Sequence, residues 1–307
     1  MRRKAAFWLG IGAGAFFLAS VAAFTLAPFE TVTALRRAAL WKNGVRRVPL
    51  EGGLFAYERN GCLPGKPCRC VALIHGLGDS ALTWDKMLMD PRAGRAGLRL
   101  LAPDMPGADG SAPPADSSGW AIRAQARTLR TALESRCPEW TVAGNSLGGW
   151  TSLWLALDWP AGVHDLVLAD AAGIEDPSGR QVESARVLAE PTLPLLKEFS
   201  RRARYRDREI PERAWISALA SIKGRHTYEL VHGLRREELL DSRLPGLRAP
   251  ATIIWGDADG IIPIAVGARL HRLIKGSRYE VAKRCGHLPQ QECPEVVARA
   301  LFGVPPL

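Results

Sequence analysis

The chain between residues 140 and 149 reads Trp140-Thr141-Val142-Ala143-Gly144-Asn145-Ser146-Leu147-Gly148-Gly149. Its first four residues have the character of a short strand buried on both faces. The next five fit the pattern G-x-S-x-G, and a helix-like stretch follows to about Asp158. A strand that turns sharply into a helix projects the central serine from the sheet edge, and flanking glycines relieve crowding in that turn. This stretch therefore predicts that Ser146 is a nucleophile.

Strand-like and helix-like segments alternate from about residue 45 onward. The predicted strands lie at about 45–51, 54–59, 71–74, 98–103, 140–143, 166–168, 251–256 and 278–282. Gly52-Gly53 suits a hairpin between the first two. Helix-like segments fill most of the later gaps. Alternation with short connections predicts an α/β fold with a mostly parallel sheet of about eight strands flanked by helices.

The segment from 174 to 246 interrupts this alternation. It contains only helical pieces rich in Arg, Glu and Leu, and it is too long for an ordinary connection. We therefore expect a helical lid at 174–246, inserted after the sixth strand. The catalytic core is expected at 45–173 and 247–307, and residues 28–44 are expected to form a juxtamembrane linker or amphipathic stretch.

An uncharged apolar run occupies residues 5–27 and follows Arg2-Arg3-Lys4. As a helix it is long enough to cross about 30 Å of hydrocarbon, and the preceding charges favour a cytoplasmic amino terminus. Residues 1–27 are therefore predicted to be a transmembrane signal-anchor, with the catalytic domain on the exported, periplasmic side. The alternative is a secreted protein cleaved near Ser20-Val21-Ala22, although the run is longer than the usual apolar region of a signal peptide.

The net charge of +10 is spread mainly over scattered arginines. The densest cluster is Arg201, Arg202, Arg204 and Arg206, and it lacks the interleaved aromatic residues typical of a nucleic-acid site. No nucleic-acid partner is expected. A solvated basic surface is the simplest interpretation, and attraction to anionic lipid headgroups is the alternative.

Six cysteines follow the export segment, and none has zinc-site spacing. Cys62 and Cys68 flank a turn at Pro64-Gly65, so they are candidates for a short disulfide loop. Cys70 and Cys137 each lie near the start of a strand, and the two strands are expected to be parallel neighbours. Cys285 and Cys293 flank His287. We hypothesise these three bridges; six reduced thiols would be the alternative in the cytosol.

A glycine-containing loop, His75-Gly76-Leu77-Gly78, directly follows the predicted strand at 71–74. One oxyanion-hole amide is expected here, and the other comes from the residue after the nucleophile. We therefore assign the amides of Leu77 and Leu147. His75 is considered as a base, but a histidine at a buried strand end more often orients a loop.

The remaining triad members are expected late in the chain. His287, in Cys285-Gly286-His287-Leu288, follows the last strand and is the predicted base. Asp259 and Asp257 share the loop after the penultimate strand. Asp259 lies further along and can turn back to His287, so it is the predicted acid. Asp257 is expected to brace the turn, and Asp170 is a third candidate.

Five motifs in this order resemble the α/β-hydrolase fold superfamily over residues 45–303. They are HGLGDS at 75–80 with Trp84, APDMPG at 102–107, GNSLGG at 144–149, WGDADGIIP at 255–263 and CGHLPQQECPE at 285–295. The resemblance implies that Asp259 and His287 are the triad acid and base. DMPG, GNSLGG and the apolar segment are similar to monoacylglycerol lipases and bacterial serine esterases, whereas the Arg-rich lid matches no subgroup.

These features predict a serine hydrolase that cleaves carboxylic esters, including lipid esters, through an acyl-serine without a metal or organic cofactor. Gly76, Trp84 and Trp150 are the expected pocket residues, with core packing an alternative role for the tryptophans. A carbon–carbon (meta-cleavage-type) hydrolase, an amidase or a thioesterase would use the same triad. A membrane-tethered scaffold without activity is the remaining alternative. The small-molecule or lipid ester is the expected substrate.

Overall fold

The computed structural model describes residues 27–206 and 209–303. The predicted signal-anchor, apart from Ala27, lies outside the described residues. Within the described part of the chain, no helix is long and apolar enough to cross a membrane.

Eight strands form one sheet in the order β1-β2-β4-β3-β5-β6-β7-β8. The strands are β1 Arg46–Pro49, β2 Phe55–Asn60, β3 Arg69–Ile74, β4 Leu98–Pro103, β5 Trp140–Asn145, β6 Val163–Ala169, β7 Ala251–Gly256 and β8 Arg278–Ala282. β2 pairs antiparallel with β1 and with β4, and every other pairing is parallel. The predicted α/β fold and its mostly parallel sheet are confirmed.

Eleven α-helices surround the sheet in the described residues. They are α1 Pro28–Lys42, α2 Asp85–Met89, α3 Ile122–Glu134, α4 Leu147–Asp158, α5 Arg180–Ala189, α6 Leu193–Ala203, α7 Glu212–Lys223, α8 Thr227–Gly233, α9 Ile264–Leu273, α10 Pro289–Glu292 and α11 Pro294–Phe302. The expected linker at 28–44 is mostly the helix α1. Pro28 is its first residue, where proline is favoured, and Leu40 anchors it in the core.

The hydrophobic core has two layers, one on each face of the sheet. Apolar residues of α3, α4 and α9 belong to one layer, and those of α1, α2 and α11 belong to the other. β3 contributes to both, because successive side chains of a strand point to opposite faces. Ala72 and Ile74 lie in the first layer, whereas Val71 and Leu73 lie in the second.

Three disulfides join the pairs that were hypothesised from the sequence: Cys62–Cys68, Cys70–Cys137 and Cys285–Cys293. The second bridge ties β3 to the approach to β5, and these strands are parallel neighbours with Cys70 opposite Trp140. The third encloses the loop that carries His287.

Between β6 and β7 the chain forms the helices α5, α6, α7 and α8, and the described residues of this segment contain no strand. The segment covers the carboxyl ends of the parallel strands, because its residues line the same cavity as Ser146. Its opening and closing as a lid stays a prediction.

Candidate active site

Ser146 occupies the turn between β5 and α4 with φ 55° and ψ −122°. This left-handed φ is rare for a residue with a side chain and is typical of functional sites held by their surroundings. The turn needs both neighbouring glycines. A Cβ on Gly144 would lie 2.3 Å from the Gly148 carbonyl oxygen, and one on Gly148 would lie 2.3 Å from that of Ile74. The motif is therefore dictated by close backbone packing.

His287 and Asp259 form a buried pair. The His287 Nδ1 lies 2.7 Å from the Asp259 Oδ2, while the Asp259 Oδ1 accepts the amide hydrogens of Ile261 at 2.7 Å and Ile262 at 3.0 Å. Because Nδ1 faces a carboxylate, it carries the proton of a neutral imidazole, and Nε2 is left as the acceptor.

Asn145 connects the serine turn to the histidine loop, a role not predicted from the sequence. Its Nδ2 donates to the carbonyl oxygens of Ala169 and His287, both at 3.0 Å. Its Oδ1 accepts from Gln290 at 3.2 Å. The signal was available, because Asn145 is the residue immediately before the predicted nucleophile. These bonds tie the turn that carries Ser146 to the loop that carries His287.

Leu77 and Leu147, whose amides are the predicted oxyanion hole, line the same cavity as Ser146. Leu147 is the first residue of α4, so its N–H has no acceptor within the helix. Leu77 lines the cavity beside Ser146. Gly76 brings this loop close, since a Cβ there would lie 3.1 Å from the Ser146 Cβ. The helix amino terminus adds a positive dipole end at the place where an oxyanion would form.

His75 braces the loop that carries Leu77. Its Nε2 accepts the Met105 amide hydrogen at 2.9 Å, and its Nδ1 lies 2.8 Å from the Gly76 carbonyl oxygen. Burial lowers the pKa of His75 and favours the neutral ring. Both ring nitrogens are thus engaged, in agreement with a loop-orienting role.

The two other candidate acids differ in position. Asp257 accepts the Cys285 amide hydrogen at 3.3 Å and approaches Lys283, so it braces the turn. Asp170 is fully buried, and one of its oxygens lies within 4.8 Å of atoms of Asp259 and His287. Asp259 alone makes the direct contact with His287 described above.

A cavity of about 1100 Å³ contains Ser146 and His287 in its wall. Gly76 and Trp150 also line it, as expected, and the Trp150 Nε1 donates to the Glu238 carbonyl oxygen at 2.9 Å. Trp84 does not line it. The structure corrects this expectation in favour of the alternative, core packing, because the Trp84 side chain is 0 % exposed and packs in the core layer formed with α1, α2 and α11.

Two clusters in the described residues have the composition of a metal site. Cys62, Cys68 and Cys70 form one, but their sulfur atoms belong to disulfides and cannot act as thiolate ligands. The other is Asp170, Asp259 and His287, where the Nδ1 already faces Asp259. Neither donor set suits a metal ion.

Comparison with known proteins matches residues 71–300 to the family model described as alpha/beta hydrolase family. A 2-hydroxy-6-oxononadienedioate/2-hydroxy-6-oxononatrienedioate hydrolase of Klebsiella pneumoniae subsp. pneumoniae is 29% identical over 258 residues, covering 79% of this chain and 88% of that protein.

Two solved structures share the fold. A membrane phospholipase A, described as a bacterial virulence factor, has a TM-score of 0.74 at 23% identity, covering 98% of this chain and 97% of its own. The 2-hydroxy-6-oxo-6-phenylhexa-2,4-dienoate hydrolase of Rhodococcus sp. strain RHA1 has a TM-score of 0.69 at 19% identity, covering 84% and 98%.

Proposed function

This chain belongs to the alpha/beta hydrolase family, and from that premise we propose that Ser146, His287 and Asp259 are its nucleophile, base and acid. The support is the contact between His287 and Asp259 together with the shared cavity of His287 and Ser146. The tautomer that Asp259 imposes leaves the His287 Nε2 able to accept a proton from the serine hydroxyl.

In the proposed reaction, the Ser146 Oγ attacks a substrate carbonyl carbon while its proton passes to the His287 Nε2. The Leu77 and Leu147 amides stabilise the oxyanion, and His287 then protonates the leaving group. Water, deprotonated by the same nitrogen, releases the acid and restores Ser146. Asp259 stays ionised and stabilises the imidazolium.

The apolar cavity supports the substrate that we propose, a carboxylic ester with an extended acyl chain. Apart from the triad, much of its wall consists of aliphatic and aromatic side chains from the segment between β6 and β7: Leu188, Leu196, Phe199, Ile222, Val231, Leu234 and Leu239. A volume of about 1100 Å³ exceeds what a small polar ester requires. Burial of an acyl chain against such a wall is favourable by about 0.8 kcal/mol for each methylene.

The position of α1 supports a substrate drawn from a lipid phase. Phe29, Val32 and Arg36 of this helix line the cavity. The helix follows the apolar run at 5–27, which we propose anchors the protein in the membrane with the catalytic domain on the exported side. Three disulfides suit an oxidising compartment and agree equally with the secreted alternative.

A carbon–carbon hydrolase is the second candidate. A 2-hydroxy-6-oxononadienedioate contains no ester, so hydrolysis of such a compound breaks a carbon–carbon bond beside its ketone. The Klebsiella relative therefore supports this alternative better than the ester interpretation. One residue favours it too: Arg225 lines the cavity and donates to the Gly78 carbonyl oxygen at 2.8 Å, and a guanidinium is suited to binding a carboxylate.

The nucleophile is tested with a fluorophosphonate probe on the folded protein. Wild type and Ser118→Ala, which removes an exposed hydroxyl that donates to Asp116, are expected to be labelled equally. Ser146→Ala is expected to remain unlabelled while it keeps the wild-type circular dichroism. Labelling of Ser146→Ala, or none of wild type, would reject the assignment.

The substrate is tested by assaying p-nitrophenyl esters of increasing chain length beside a 2-hydroxy-6-oxo-dienoate. We expect kcat/KM to rise with acyl length, and lipid vesicles to raise it further. Turnover of the dienoate alone would establish the carbon–carbon alternative and reject the ester proposal.

A further inference from the structure

Asp170 follows β6 directly and lies behind the proposed triad. It is 0 % exposed, and its φ of 45° is a left-handed value that is rare for a residue other than glycine. The backbone is held there because the Asp170 amide donates to the Ile254 carbonyl oxygen at 2.9 Å. A strained, buried carboxyl beside reacting groups indicates a role that compensates its cost.

The two Asp170 oxygens have different partners. Oδ1 accepts the Gly256 amide hydrogen at 2.9 Å. Oδ2 is buried and has no donor among the described residues. An ionised carboxylate oxygen in this position would be unsatisfied, which is costly in a buried site. The neighbouring group is the Asp259 carboxylate, which has an oxygen within 4.8 Å of an Asp170 oxygen. Two carboxyl groups share a hydrogen bond only when one of them holds a proton.

The number of hydrogen-bond donors around each carboxyl group decides which of the two holds the proton. Asp259 accepts three N–H groups, whereas Asp170 accepts one. The better solvated anion is therefore Asp259, and the proton belongs on Asp170.

The ionisable groups around Asp170 agree with this distribution. Burial first, and then the nearby Asp259, raise the pKa of Asp170 well above its usual range, and Glu292 of α10 acts in the same direction. Burial raises the pKa of Tyr279 of β8, so this phenol is neutral at neutral pH and adds no charge near Asp170. His287 is the nearby base, and its Nδ1 is taken by Asp259. No ion pair in the described residues involves Asp170.

We propose that Asp170 is a positioning residue of the triad, held as a neutral carboxylic acid that donates a hydrogen bond to the Asp259 carboxylate. This inference rests on the proposed triad. The bond adds to the contacts of the Ile261 and Ile262 amides and fixes the orientation of the Asp259 carboxylate. It also withdraws charge from Asp259, which keeps the shared proton on the His287 Nδ1 during turnover.

The protonated acid is tested directly by infrared difference spectroscopy of wild type minus Asp170→Asn at neutral pH. The C=O stretch of a carboxylic acid, shifted in D₂O, is the expected signal. Loss of carboxylate bands alone would overturn the inference. This readout does not depend on catalysis. It therefore tests the protonation of Asp170 separately from the triad assignment, which the fluorophosphonate probe tests.

The positioning role is tested by two variants. Asp170→Asn retains a donor for Asp259 and an acceptor for the Gly256 amide, so kcat is expected to stay near wild type. Asp170→Ala removes both, and kcat is expected to fall roughly tenfold. In Asp170→Ala, the acid limb of the pH profile of kcat/KM is expected to move to higher pH, because a more negative Asp259 favours the imidazolium form of His287.

Several outcomes would contradict the role. Equal loss of kcat in both variants would show that the amide does not replace the acid. A wild-type acid limb in a folded Asp170→Ala, or wild-type kcat in that variant, would show that Asp259 does not use the bond. Thermal unfolding of each variant identifies a loss of kcat that follows from misfolding.

Discussion

Asp259 and Asp257 occupy one loop, two residues apart, and their surroundings separate their roles. Asp259 is buried against His287, whereas Asp257 is partly exposed and accepts the Cys285 amide hydrogen. A carboxylate that orients an imidazole contributes to every turnover, while one that braces a turn contributes mainly to local order. The two roles differ because the loop places the Asp259 carboxylate, and not that of Asp257, against the His287 imidazole.

We expect Asp259→Asn to lower kcat/KM for an ester substrate by roughly a thousandfold, because the amide imposes the wrong tautomer on His287. Asp257→Asn is the matched control and should stay within about threefold of wild type, since an amide oxygen still accepts the Cys285 hydrogen. Steady-state kinetics of both variants test this. A larger loss in Asp257→Asn would reassign the acid.

Asp104 is a second residue whose environment sets its chemistry. It lies just after β4, is 0 % exposed, and accepts the Ala81 amide hydrogen at 2.7 Å. Burial raises the pKa of Asp104 to about 7. The folded protein therefore holds this proton more tightly than the unfolded chain, and the resulting stability is lost as pH rises toward the folded pKa.

Asp104→Asn removes this titration and keeps an oxygen for the Ala81 amide. Between pH 5 and pH 8, its free energy of unfolding is expected to rise relative to wild type by roughly 3 kcal/mol. Urea unfolding of both proteins at the two pH values measures the change, and taking the difference between proteins cancels the other titrating groups. Parallel pH dependences would contradict the prediction.

The helix α7, which belongs to the segment between β6 and β7, forms part of the cavity wall. Ala218 lines the cavity, whereas Ala220 of the same helix is exposed. The Ser217 hydroxyl donates to Glu30 of α1 at 2.6 Å, so the two helices that border one end of the cavity are tied together. The width of this end therefore depends on how α7 sits against α1.

Ala218→Phe is expected to place a ring in the cavity and shorten the acyl chain that fits. For the longest p-nitrophenyl ester accepted by wild type, kcat/KM should fall roughly tenfold, with short esters unaffected. Ala220→Phe adds the same ring on the exposed face and should keep the wild-type chain-length profile. Unchanged long-chain activity in Ala218→Phe would place the acyl chain elsewhere.

For the molecule as a whole, the three disulfides close loops of very different length. Cys62 and Cys68 are 6 residues apart and Cys285 and Cys293 are 8 apart, whereas Cys70 and Cys137 are 67 apart. A bridge restricts the unfolded chain more when the loop is longer. The bridge from β3 to the approach to β5 is therefore expected to dominate their contribution to stability.

Replacing both Cys70 and Cys137 by Ala should lower the free energy of unfolding by about 4 kcal/mol, compared with about 2 kcal/mol for the same change at Cys62 and Cys68. Denaturant unfolding under non-reducing conditions compares the two double variants. Equal losses, or a larger loss for the short loop, would show that native packing rather than loop closure sets the order.

The features that depend on local chemistry could be predicted from the sequence. The G-x-S-x-G turn, the alternation of strands and helices, the order of the motifs and the pairing of cysteines beside neighbouring strands all follow from residue type and spacing. These predicted the sheet that the structure shows, and they proposed Ser146, Asp259 and His287 together. They also indicated that a helical segment follows β6.

Tertiary structure alone decided what depends on contacts between distant residues. Trp84 entered the core instead of the cavity wall, because its side chain packs with α1, α2 and α11 rather than with the strand ends. Asn145 reached the carbonyl of His287, and Asp170 came to lie behind Asp259. Spacing along the chain does not predict these contacts, because they form where the carboxyl ends of parallel strands converge at one sheet edge.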